Sequence, residues 1–383
     1  MKADEAQAAL GAHLRETAAL AQVAGLLQWD QEAVMPEKGA LQRAEQAAAL
    51  EAVLHARRAD SRVPEWAAAI DGATLDPAGR VNLAEALRAH SRATRVPASL
   101  ASALARLTSQ AHRIWVAARR AKSFADFAPT LAEILRLKRE EAACLTEPGA
   151  DPYDALLEDQ EPGMTGAKVA ALLGSLRPGL VSLRERIAGT PHYAPAPRGH
   201  FPPEAQLALA RELAGHFGYD WQAGRLDLVV HPFCSGTMGD VRITTRVDPE
   251  TPFDCLYSTI HETGHAVYEQ GLDPALAFTP AGTEASMGVH ESQSRLFENQ
   301  IGRSRAFCTW LFPRLRARFG DLGLEGPEAL YRALNHVAPG FIRTEADEVH
   351  YNLHILMRFD LERALIAGDL TVADLEAAWN NRF

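Results

Sequence analysis

Residues 261–265 read His261-Glu262-Thr263-Gly264-His265, an HExxH pattern. On a helix, positions four apart share a face, so His261 and His265 can offer two imidazole nitrogens to one metal ion while Glu262 stands beside water in the site. Such a set is equipment for metal-assisted hydrolysis, with Glu262 as general base. The flanking residues support a helix over about 252–270. Thr251 is a good N-cap, Pro252 suits the first helical position, Asp254 puts negative charge in the first turn, and Gly271 is a natural stop. Phe253, Leu256, Ile260 and Val267 form one apolar stripe on this helix, and Tyr257, His261, His265 and Tyr268 fall on a neighbouring face.

Catalytic zinc takes three protein ligands and keeps a fourth position open. The extended HExxHxxGxxH pattern would need Gly at 268 and His at 271, but the sequence has Tyr268 and Gly271, which excludes that class. A carboxylate from a following helix is the other common solution, and Glu291 and Glu284 are the candidates. Met287, Glu291, Ser294, Phe297 and Ile301 follow helical spacing and would face inward, where a carboxylate needs a partner. Glu284, within Gly282-Thr283-Glu284-Ala285, reads as a cap or loop residue, so Glu291 ranks first.

These residues must be held by a mostly helical frame. Segments at about 4–29, 40–58, 78–94, 98–122, 124–146, 165–188 and 203–217 are rich in Ala, Leu, Glu and Arg, with apolar residues three and four apart. The Ala-rich stretch 45–57 reads as helical surface. The exception is 226–247, where Leu226 to Val230 and Val241 to Val247 look like strands, with Gly236 and Gly239 supplying the turn. A small β-hairpin just before the metal helix is expected, and an edge strand there would let Asp240 to Arg246 line the cleft and pair with a peptide backbone.

Composition narrows the class further. With 383 residues, 47% of them hydrophobic, the chain can bury a large core. It is read as one catalytic domain over 1–383, in which helices of about 1–200 form one wall of the cleft and 201–383 carry the metal site. A net charge of −10 argues against nucleic acid as a partner. Cys144, Cys234, Cys255 and Cys308 are too scattered for a CxxC site or a disulfide framework and read as reduced thiols. No apolar stretch is long enough for a bilayer and no signal peptide opens the chain, so no membrane partner and a cytoplasmic location are expected.

Several separated motifs, in order, then show a resemblance. They are His231-Pro232-Phe233, Asp240-Val241-Arg242-Ile243-Thr244, the HExxH stretch, His290-Glu291-Ser292-Gln293, and Ile342-Arg343-Thr344-Glu345-Ala346-Asp347. Trp29-Asp30-Gln31 with Met35-Pro36 and Gly39, Tyr153 to Leu157, and Glu161-Pro162-Gly163-Met164 agree with them in the N-terminal half. Together they resemble the thermostable Taq-type metallocarboxypeptidases across essentially the whole chain. The resemblance implies a mainly α, zincin-type metallopeptidase with a small β-hairpin beside its cleft, zinc (or cobalt) as cofactor, and Glu291 as third ligand. It further implies peptides with a free C-terminus as substrates, trimmed one residue at a time, and a homodimer. Zinc oligopeptidase or dipeptidyl carboxypeptidase action, and a truncated inactive helical protein that retains metal binding, are the alternatives. The family's chains continue past this one with a GxxQDxHW motif, whereas this sequence stops at Ala377-Ala378-Trp379-Asn380-Asn381-Arg382-Phe383, within a stretch that reads as helical.

An exopeptidase needs a reader for the substrate's terminal carboxylate, and an arginine fork suits it. The resemblance points to Arg343 and Arg242. Over 341–366, Arg343, Asp347, His350 and His354 fall along one helical stripe, and Asp347 and His354 are chosen from it to hydrogen-bond metal ligands or an oxyanion. His231 is expected to order the hairpin.

Overall fold

The structure, a computed structural model, describes residues 1–190 and 194–382, with the Glu345 side chain and Phe383 outside the described residues. The chain separates into two compact units. One comprises Met1–Leu156, Ser235–Asp240 and Gly271–Ala285; the other comprises Leu157–Cys234, Val241–Gln270 and Ser286–Phe383.

The first unit is built from α1 (Ala3–Ala33), α2 (Ala40–Arg58), α3 (Arg62–Ala69), α4 (Pro77–Arg95), α5 (Ala98–Ala121) and α6 (Phe124–Leu145). Side-chain caps start two of them, Asp76 accepting from the Gly79 amide at 2.7 Å ahead of α4 and Ser123 accepting from the Asp126 amide at 3.3 Å ahead of α6. α2 packs most extensively against α5. That contact corrects the surface reading of 45–57, because Ala48 and Leu54, with Ala44 one turn before, are buried. Small side chains let two helices approach closely, a pattern that resembles a solvated alanine face when read one helix at a time.

After a short α7 (Pro152–Leu157), the second unit contains α8 (Gly166–Ala188), α9 (Pro203–His216), β1 (Gly224–Leu228), most of β3 (Asp240–Thr245), α10 (Phe253–Gln270), α11 (Met287–Arg295), α12 (Arg305–Phe319), α13 (Pro327–Leu334), α14 (Glu348–Ala367) and α15 (Val372–Arg382). Its core holds Phe201, Leu209, Leu213, Ile243, Leu256, Ile260, Leu311, Leu315 and Leu330, all fully buried. Each such aliphatic side chain contributes roughly 1.5–3 kcal/mol by leaving water.

The sheet has one strand more than the expected hairpin. A further strand, β2 (Cys234–Thr237), lies between β1 and β3 in sequence, and the sheet order is β1-β3-β2. β1 and β3 run parallel, from Gly224 opposite Val241 to Leu228 opposite Thr245. The tight turn falls at Met238-Gly239, with Met238 at φ 51°, while Gly236 lies inside β2. β3 is therefore central, and its backbone has no open edge for a substrate strand, which corrects that expectation for Asp240 to Arg246.

Two helical expectations also need correction. α11 ends at Arg295 and continues as a π-helix over Leu296–Ile301. Ser294 is buried, but Met287, in the first turn of α11, and Ile301, where the wider turn breaks the regular spacing, are exposed. In the 341–366 stretch, Arg343–Glu345 is a separate 3-10 turn and α14 starts only at Glu348, so Arg343 does not share a helical stripe with His350 and His354. Asp347 sets that start as the N-cap, accepting from the Val349 and His350 amides. No helix of the described residues is long and apolar enough to cross a membrane.

Candidate metal centre

The site is assembled on α10 and α11, both within the second unit. α10 begins close to its expected start, with the Thr251 hydroxyl accepting from the Phe253 amide at 3.4 Å. Leu256 and Ile260 are fully buried, and this apolar anchor rotates His261 and His265 toward α11. Their rings meet edge to face with centroids 5.1 Å apart.

α11 brings Glu291 over both rings. Its Oε2 lies 3.5 Å from His261 Nε2 and 3.2 Å from His265 Nε2. The three residues offer ligand atoms that all fall within 4.8 Å of one another. Glu284 is an exposed loop residue outside this group. The close approach depends on Gly264, a residue the sequence reading did not single out. A Cβ there would sit 2.5 Å from Ser294 Cα and 2.7 Å from the Gln293 carbonyl oxygen, so only glycine lets α11 pass. A glycine mid-helix, costing about 1 kcal/mol against alanine, was the available signal.

Several groups hold the cluster. The Ser294 hydroxyl donates to Glu291 Oε2 at 2.9 Å, and the Tyr351 hydroxyl donates to Glu291 Oε1 at 3.2 Å. Arg343 Nη1 donates to that same Tyr351 hydroxyl at 2.8 Å, which connects Arg343 to Glu291 through one side chain. His290 stacks on His265 with centroids 4.5 Å apart and bonds Glu269 through Nε2 at 3.1 Å. At the N-terminus of α11, Glu161 accepts from the Gly288 amide at 3.0 Å.

Electrostatics follow from this packing. Burial pushes the Glu262 carboxyl up to about 7, which suits a proton acceptor near neutral pH. For Glu291, burial alone would raise the pKa, but hydrogen bonds with His261 and His265 outweigh it and keep the carboxylate charged. His265 is lowered, chiefly by burial. Two imidazoles and a retained negative charge, all aimed at one point, are a donor set that accommodates a divalent cation.

The remaining predicted residues lie elsewhere in the chain's contacts. Arg242 is half-buried on central β3. His231 is exposed in the segment before β2. Asp347, besides capping α14, bonds His350 Nδ1 at 2.7 Å and the Ala338 amide at 3.1 Å. His354 is buried and contacts the Gly340 carbonyl oxygen through Nε2 at 2.8 Å. Tyr351, Ser294 and His290 were not anticipated as site residues; Tyr351 sits one residue past His350 on the helix, where a polar stripe by itself names no partner.

The chain is 43% identical to thermostable carboxypeptidase 1 of Thermus thermophilus over 384 residues, covering 96% of this chain and 75% of that one. It is similar in structure to an M32 carboxypeptidase from Deinococcus radiodurans, at TM-score 0.84 and 38% identity, with 99% of this chain and 77% of that chain covered. It is likewise similar to metallocarboxypeptidase 1 of Trypanosoma cruzi, at TM-score 0.87 and 33% identity, with the same coverage of 99% and 77%. The oligopeptidase and inactive-protein alternatives are not favoured. The family profile described as carboxypeptidase Taq (M32) metallopeptidase matches residues 9–383, and the chain belongs to that family.

Proposed function

We propose that the protein removes single amino acids from peptide C-termini, with a divalent metal held by His261, His265 and Glu291 and with Glu262 as general base. The observation that carries this reading is the convergence of three donor side chains within 4.8 Å, on the same helix pair as the buried Glu262 carboxyl. Two imidazoles with one carboxylate form the donor set of catalytic zinc sites, so zinc is the first choice and cobalt the second. When bound there, such an ion supplies Lewis acidity to the scissile carbonyl and brings the pKa of water in the site toward neutrality.

The chain's own groups do the rest. Glu262 takes the proton of the attacking water on its carboxylate and delivers it to the departing amine. Arg343, one side chain away from Glu291 through Tyr351, reads the substrate's terminal carboxylate with its fork, and Arg242 is the second candidate for that role. Asp347 and His354 act at a distance, ordering through Ala338 and Gly340 the segment that carries Arg343, and His231 orders the loop before β2. The homodimer and cytoplasmic location that the resemblance implies belong to the same proposal.

The test is mass spectrometry of a mixed-sequence peptide incubated with the protein, with added zinc or cobalt and with a chelator. The expected product is a ladder shortened one C-terminal residue at a time and abolished by chelation. Internal or two-residue cuts, or turnover that survives chelation, would refute the proposal.

A further inference from the structure

The two histidines of the cluster are supported differently on their outer nitrogens. His261 Nδ1 lies 2.8 Å from Glu298 Oε2. Glu298 is itself held by Arg295, at 2.8 Å to Oε2, and by Arg303, at 3.3 Å to Oε1, with only 12% of its side chain exposed. By contrast, His265 Nδ1 is buried and finds no hydrogen-bond partner among the described residues; its ring is held by stacking on His290. Glu298 also sits within the π-helical Leu296–Ile301, a backbone form rarely adopted without a tertiary reason.

We propose that Glu298 is a positioning residue for metal binding, acting through His261. Its carboxylate accepts from Nδ1 and so leaves Nε2, on the Glu291 side, as the nitrogen whose lone pair a metal would take. Arg295 and Arg303 hold that carboxylate oriented toward the ring. The π-helix is the device that seats this second carboxylate on the same helical segment as Glu291 while each serves a different edge of His261. This inference rests on the metal reading of His261, His265 and Glu291.

The test uses the whole chain, stripped of metal and titrated with zinc against a competing chromophoric chelator. Glu298→Ala removes the acceptor and is expected to weaken zinc binding about 10–100-fold, the usual effect of losing such an outer partner. Glu298→Gln keeps a neutral acceptor of the same shape and is expected to fall between Ala and the unmodified chain, with saturating zinc restoring most of its peptide turnover. Should Glu298→Ala fail to fold, the Gln variant decides alone. Unaltered zinc affinity in the variants, or a lowered melting temperature of the metal-free protein with affinity unchanged, would overturn the proposal and leave the ligand set standing. An unmodified chain that takes up no zinc would overturn the ligand set itself.

Discussion

The α2/α5 pair and α10 are both helical and both buried on one face, yet they bury different things. α2 and α5 hide Ala44, Ala48, Leu54, Leu100, Leu104, Ala111 and Ala118, with no polar group among them. α10 hides Thr259, Glu262, Thr263 and Glu269 among Cys255, Leu256, Ile260 and Ala266. Its threonines bond back to the carbonyl oxygens one turn earlier, Thr259 to Cys255 at 2.7 Å and Thr263 to Thr259 at 2.6 Å, and Glu269 has His290. A buried polar group without a partner costs about 1–3 kcal/mol, and these bonds spare Thr259, Thr263 and Glu269 that cost. The α2/α5 contact is governed by volume; α10 is governed by partnership. Changes in the first should alter stability alone, whereas changes in the second should alter chemistry before they unfold anything.

The sharpest separation comes from Glu262→Gln. Shape and metal ligands are preserved, so zinc content should stay at the unmodified level while kcat/KM drops about 10²–10⁴-fold, or roughly 3–5 kcal/mol of transition-state stabilisation. Retained turnover would remove Glu262 from the mechanism and erase the contrast. Gly264→Ala should have the next largest effect, because its methyl group meets the Ser294 backbone rather than a movable side-chain tip. Pushing α11 away should cost toward the upper end of the ~1–3 kcal/mol typical of overpacking, and zinc affinity should fall with it. A Gly264→Ala protein with normal zinc affinity would show that the close approach is unnecessary for the cluster. Ala48→Leu in α2 should cost less, around 1–2 kcal/mol in thermal or denaturant unfolding. Zinc affinity and turnover should be untouched, and a change in either would mean that the two regions are not energetically separate.

Much of the helical frame is legible from local signals. The expected 40–58, 98–122 and 203–217 match α2, α5 and α9 to within a residue at each end, because alanine-rich, leucine-spaced segments between prolines have few alternatives. The HExxH stretch is legible for the same reason: its spacing is a property of a single helix. The strands show where local reading runs out. Cys234–Thr237 lacks the β-branched alternation of its neighbours, yet it pairs because β3 offers it a partner. The π-helix after Arg295 was equally hidden, since its cost is offset by contacts made with another helix.

By itself, then, the sequence determined that two histidines four apart share one helical face with a glutamate next to the first, and that helices carry the frame. Those are consequences of periodicity and covalent order. Tertiary structure decided that β3 is central rather than an edge, that α14 starts after Arg343, and that Arg343 reaches Glu291 through Tyr351. It also decided that His261 leans on Glu298 while His265 leans on His290. Each of these depends on which surfaces meet across tens of residues of chain, and steric fit at points such as Gly264 selects that meeting where no local propensity can.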